Sequence, residues 1–121
     1  LSIEEKDFVY HPFKPNYSLA NIFRENLNML GIQEDSTKKE GGKGSSDIGN
    51  ISQIVPTIHV DIGICATNTV AHSPEFARAA ASDKGIDGML SGAKALAMTV
   101  YDLFSSPEKI KEIKQEFKSN P

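Results

Sequence analysis

Long apolar runs are missing from this sequence of 121 residues, and no segment approaches the roughly 20 residues of a membrane span. There is one cysteine, Cys65. It excludes an internal disulfide and fits a reducing, cytoplasmic setting. It ends the apolar run Ile-Gly-Ile-Cys, where an inert thiol is the expected state. Positive charge is not in excess: 13 Lys and Arg face 16 Asp and Glu, a net −3. No basic stripe appears, which argues against a nucleic-acid surface. Motifs with fixed chemistry are absent too. There is no H-x-x-x-H, C-x-x-C or H-E-x-x-H, no G-K-[ST] and no G-x-S-x-G. That excludes a Walker phosphate loop and a serine-hydrolase elbow, and leaves no complete local metal site. The opening residues LSIEEKDF are too charged for a signal peptide. They include no initiator Met, so an upstream part is expected. Internal repeats are also lacking.

What is present reads as an ordinary soluble protein, with 39% hydrophobic and 24% charged residues. A chain of this length buries roughly two-thirds of its unfolded surface, enough for one domain or part of one. Residues 1–16 form an extended lead-in, because Pro12 and Pro15 keep their predecessors out of helical geometry. Leu19, Ile22, Phe23, Leu27 and Leu30 recur at helical spacing, which predicts a helix over about 17–30. Asn16 or Ser18 can cap it and Gly31 can stop it. Residues 32–45 are polar and glycine-rich and form a loop or linker. Val55, Ile58, Val60, Ile62 and Ile64 predict one or two strands between about 55 and 65. Ser73 and Pro74 open a short helix, about 74–81. A longer one, about 86–104, carries an apolar stripe from Ile86 to Phe104, with Gly88, Gly92 and Ala93 small enough for close approach to a sheet. Ser106 and Pro107 start a last helix, peripheral because its stripe is only Ile110, Ile113 and Phe117. One or two strands cannot make a stable sheet alone. The expected fold class is therefore α/β, a sheet flanked by helices, with its remaining strands upstream.

Three histidines are candidates for chemistry. His11 sits in the lead-in and His59 within the strand run, and structural roles fit both. His72 follows an apolar run and a short polar turn and precedes a helix. Ligands gather at such carboxyl ends of strands in α/β sheets. Two readings stay open on position alone: a loop histidine beside a helix cap, or a metal ligand. Glu75 lies three residues on, where the helix turns it away. The stretch GGKGSSDIGNIS, residues 41–52, supplies short polar groups on a glycine-rich backbone. It reads equally as a capped loop or as a site for an anionic substrate group.

Taken in order, GSSDIGNISQIVPTIH, AHSPEFARAA and GAKALAMTVYDLF resemble the dinuclear-metal amidohydrolase and peptidase family. That family holds the aminoacylases, carboxypeptidase-G-type enzymes and aminobenzoyl-glutamate hydrolases, and its aminobenzoyl-glutamate-hydrolase-like branch includes dipeptidases. The resemblance covers nearly the whole chain, with Ser46 where the family usually has Thr. It implies the carboxyl-terminal part of a phosphorylase/hydrolase-like catalytic domain over 17–121, with 1–16 leading in from an inserted lid domain. It implies metal-dependent hydrolysis of an amide in an N-acyl amino acid, an aminobenzoyl-glutamate-like compound or a small dipeptide. By the same match His72 is a metal ligand, and Gly44, Ser45, Ser46 and Asp47 face the substrate. Two zinc ions, or manganese or cobalt, are implied for the full-length enzyme, and none held tightly by this chain alone. The general base and the other ligands would lie upstream, so no catalytic residue falls in this chain. A homodimer through the lid domain is implied, with neither nucleic acid nor membrane as partner. The alternative is a non-catalytic α/β interaction domain.

Overall fold

The computed structural model describes residues 9–35 and 46–119. Among these residues five helices occur in this order: α1 Tyr17–Met29, α2 Ile48–Ser52, α3 Pro74–Ala80, α4 Asp83–Ser105 and α5 Pro107–Ser119. The cap chemistry of the sequence sets most of their ends. Asn16 stands before α1 with extended backbone, and its Oδ1 accepts from the Leu19 N–H at 2.9 Å. At the other end Gly31 adopts φ 77°, the Ile32 N–H reaches Leu27 O at 3.0 Å and the Gly31 N–H reaches Asn28 O at 2.9 Å. This is a Schellman stop, which satisfies carbonyls the helix leaves open. Ser73 caps α3 through the Phe76 N–H, and Pro74 occupies a first-turn position.

The long helix starts three residues before the expected position. Ser82 Oγ accepts from the Gly85 N–H and donates to Ala79 O, joining the end of α3 to the start of α4. Gly85 belongs to this corner because a Cβ there would lie 2.4 Å from the carbonyl oxygens of both Ala79 and Ala80.

α1 packs on α4 and α5, and α4 also meets α3 and α5. The buried apolar core is small: Ile22 and Phe23 of α1, Ala95 of α4 and Ile113 of α5. A polar seam accompanies it. The Asn26 amide, 1% exposed, donates to Thr99 Oγ1 at 3.1 Å and to Asp102 Oδ2 at 3.0 Å. Thr99 donates on to Ala95 O, so every buried partner is satisfied. The Asn26 hydrogen bond, followed by Lys109 at 3.4 Å, outweighs partial desolvation and holds the Asp102 carboxyl below its ordinary value.

Two expectations need correction. The α/β sheet is not found: among the described residues there is no strand, only an isolated parallel bridge between Pro15 and Thr57. The Asn16 N–H donates to Thr57 O at 3.0 Å, and one residue later the lead-in turns into α1. The run expected as strand between 55 and 65 thus loses its neighbour after one bridge, and β-branched residues do not make a strand without a ladder. Ile62 and Ile64 pack instead on the small residues of α4. A Cβ at Gly88 would lie 2.7 Å from Ile64 Cγ2, and one at Gly92 would lie 3.4 Å from Ile62 Cγ1. The described fold is helical.

The second correction concerns α4. Its apolar stripe is not the face it buries. Gly85, Ala95 and Thr99 are the buried residues, while Ile86, Met89, Leu90, Leu96, Val100, Tyr101 and Phe104 are exposed. Small residues let α1 approach closely, and the large side chains, up to Phe104 at 86% exposure, point away from that contact.

Candidate functional site

α2 organises one candidate region. Ser46 Oγ accepts from the Ile48 N–H at 3.2 Å, and Asp47 O accepts from the Ile51 N–H at 3.1 Å. Asp47 occupies the cap position with helical backbone, and its carboxylate makes no capping bond. Both Ser46 and Asp47 are exposed. Gly44 and Ser45 lie outside the described residues.

Next to this turn runs the lead-in, held by α2 side chains. The Asn50 amide bridges its backbone: the His11 N–H donates to Oδ1 and Nδ2 donates to Val9 O, both at 2.9 Å. The Lys14 N–H donates to the buried Ser52 Oγ at 2.9 Å, and Gln53 Nε2 donates to Pro12 O at 2.8 Å.

His72 stands apart from this group. It lies in the turn before α3, exposed, with φ 62°, and it is the non-glycine residue of positive φ among the described residues. Histidine tolerates this region better than most side chains, but a backbone held there still costs about 1–3 kcal/mol. A turn from Ala66 O to the Thr69 N–H at 3.0 Å precedes it. Glu75 is turned to Arg78 on α3, at 2.7 Å, as the helix geometry implies.

The other histidines fit their structural readings. His59 meets the Phe13 ring edge-on with centroids 6.5 Å apart, and the His11 backbone belongs to the strap on α2. A cavity of about 670 Å3 between the end of α1, residues 59–63 and the start of α4 carries both signs of charge, from Arg24, Glu34, Asp61, Lys84 and Asp87. His72, Ser46 and Asp47 do not line it. No hydrogen bond among the described residues joins His72 to the Ser46–Asp47 turn.

Among the described residues no three His, Cys, Asp or Glu side chains are grouped to hold an ion. Three or four protein ligands are the rule for zinc, so these residues do not make a complete metal site. Also among the described residues, no helix is long and apolar enough to cross a membrane.

No protein-family model matches the chain. Two curated proteins do. Xaa-Arg dipeptidase of Homo sapiens is 38% identical over 111 residues, 90% of this chain, and Xaa-Arg dipeptidase of Mus musculus is 36% identical over 121 residues, 98% of this chain. The chain is similar to dipeptidases. It spans only about a quarter of their length, 25% and 28%. The likeness is thus nearly complete from this side and partial from theirs.

Sequence reasoning singled out the 41–52 stretch but missed what Asn50, Ser52 and Gln53 do there. Their partners are backbone groups of the lead-in, about 40 residues away in sequence, and no local spacing reports such a contact.

Proposed function

We propose that this chain is part of a metal-dependent peptidase that hydrolyses the amide bond of small dipeptides or N-acyl amino acids, and that His72 supplies one metal ligand. The observation that carries the proposal is the match of nearly the whole chain to two dipeptidases. Two features of His72 support its role. Its side chain is exposed, and its backbone is held at φ 62° directly before a capped helix. The left-handed backbone turns the chain sharply ahead of α3, and the exposed imidazole there is open to a metal.

The remaining donors would come from outside the described residues, which offer no complete set. A metal held there supplies Lewis acidity toward the scissile carbonyl. Ser46 and Asp47 are the chain's own candidates for contacting substrate, through a hydroxyl and a carboxylate at an exposed turn. Asp47 favours a cationic group of the substrate, and Ser46 can accept from or donate to its amide.

The test is hydrolysis by the full-length protein of a panel of dipeptides and N-acyl amino acids, before and after chelation and with zinc, manganese or cobalt restored. Dipeptide cleavage lost on chelation and recovered with metal is the expected result. Cleavage indifferent to chelation removes the metal from the proposal, and no cleavage of any panel member removes the peptidase.

A further inference from the structure

The clamp between α2 and the lead-in has a shape that packing alone does not require. Asn50 uses both ends of its side-chain amide on the backbone either side of Tyr10, accepting from His11 N–H and donating to Val9 O. A neighbouring parallel strand would satisfy the same two groups. Ser52 Oγ is 0% exposed as a residue, accepts from Lys14 N–H and donates to Gly49 O at 2.6 Å, which ties the strap to the interior of α2. Sterics add an independent constraint. A Cβ on Gly49 would sit 1.9 Å from His11 O, a backbone atom that cannot swing aside. The strap therefore lies as close to α2 as glycine alone permits.

Each hydrogen bond from Asn50, Ser52 and Gln53 to the strap is made to its backbone, so the clamp is indifferent to the strap's side chains. Its other end is the candidate substrate turn, because Ile51 N–H holds Asp47 O and Ile48 N–H holds Ser46 Oγ within the same short helix. We propose that Asn50 is a positioning residue, locking the strap 9–14 to α2 and thereby fixing the Ser46–Asp47 turn. α2 has five residues, too few to hold itself, since isolated short helices are unstable in water. The strap is what keeps it in place, and displacing the strap releases the turn.

The lock itself is independent of what the protein hydrolyses; only the kinetic consequence below rests on the proposed peptidase function. The experiment measures amide hydrogen exchange in the full-length protein and in Asn50→Leu, Asn50→Asp and Gly49→Ala. Asn50→Leu is expected to speed exchange at His11 and, through the turn, at Ile48 and Ile51, each by about fivefold or more, as loss of a hydrogen bond implies. Asn50→Asp keeps the acceptor for His11 N–H and is expected to restore much of that amide's protection. Gly49→Ala removes no bonding side chain, and by wedging the strap away it should deprotect the same amides. Faster exchange at His11 with wild-type protection at Ile48 and Ile51 overturns the coupling. Unchanged exchange at His11 in Asn50→Leu overturns the lock. If dipeptides are cleaved, Asn50→Leu should raise KM more than it lowers kcat. A kcat loss with unchanged KM removes the turn from substrate binding, whereas absence of cleavage in the unmodified protein condemns the peptidase reading and leaves the exchange result standing.

Discussion

Glu116 offers a quantitative test of how the helices are joined. α1 has no acidic residue in its first turn, so its positive end lacks the local partner that helix dipoles favour. α5 supplies one instead. Glu116 Oε1 accepts from Tyr17 N–H and Oε2 from Ser18 N–H, each at 2.7 Å, across nearly 100 positions of sequence. Two of the four N–H groups that open an α-helix unsatisfied are met this way. Desolvation pushes the Glu116 carboxyl upward, but the bonds from Ser18, through hydroxyl and backbone, and from Tyr17 outweigh it and leave it below its ordinary value. Glu116 is half-buried at the helix junction, so the ordinary range of charge–helix energies applies, about 0.5–1 kcal/mol. Glu116→Gln keeps the shape, removes the charge and turns an amide N–H toward a backbone N–H. The protection of the Tyr17 and Ser18 amides at neutral pH should fall by about two- to fivefold. Because the folded carboxyl titrates below its unfolded value, the contribution is present above the unfolded pKa and disappears as pH falls through the folded one. The variant and the unmodified protein should therefore converge in acid. Equal protection at neutral pH, or a difference that persists in acid, refutes the charged cap.

Further outcomes follow from packing and exposure. Phe23 is 2% exposed at the centre of the small core, so Phe23→Ala should cost about 3–5 kcal/mol in denaturant unfolding. The band from Ile86 to Phe104 on α4 is uncovered in this chain, and exposed apolar surface of that extent drives association. Sedimentation velocity on the 121-residue chain alone should show self-association, and a clean monomer at high micromolar concentration contradicts it. Ser46→Ala in the full-length protein should raise KM for dipeptides several-fold with kcat kept, a loss of about 0.5–1.5 kcal/mol for one hydrogen bond; unchanged KM removes Ser46 from the site.

Apart from the short α2, which was read as loop, the helices were legible in the sequence because their signals are local. Asn16, Gly31, Ser73 and Pro74 act within a few residues of themselves, and the α1 stripe does bury Ile22 and Phe23. The strand expectation failed because β-branched residues state a preference without naming a partner, and Ile62 and Ile64 found α4 glycines in place of a ladder. α4 misled for a related reason. Its large apolar residues mark a face fit for burial, but the residues it buries are small, with Gly85 against the end of α3 and Thr99 against Asn26 of α1. Asn50 and Glu116 were illegible as partners, since their bonds span about 40 and 100 positions. At the site, the exposed turn placement of His72 agrees with its reading as a loop residue before a capped helix. The proposal that it binds a metal came only from the ordered resemblance, since no other candidate ligand stands near it at metal-binding spacing in sequence and no ligand group forms among the described residues.

The most direct measurement is metal content and dipeptide turnover of the full-length protein beside its His72→Ala variant, with circular dichroism confirming that both are folded. The His72→Ala variant is expected to lose bound metal and nearly all turnover while keeping its helical signal. Wild-type metal content and turnover in a folded His72→Ala protein would contradict it.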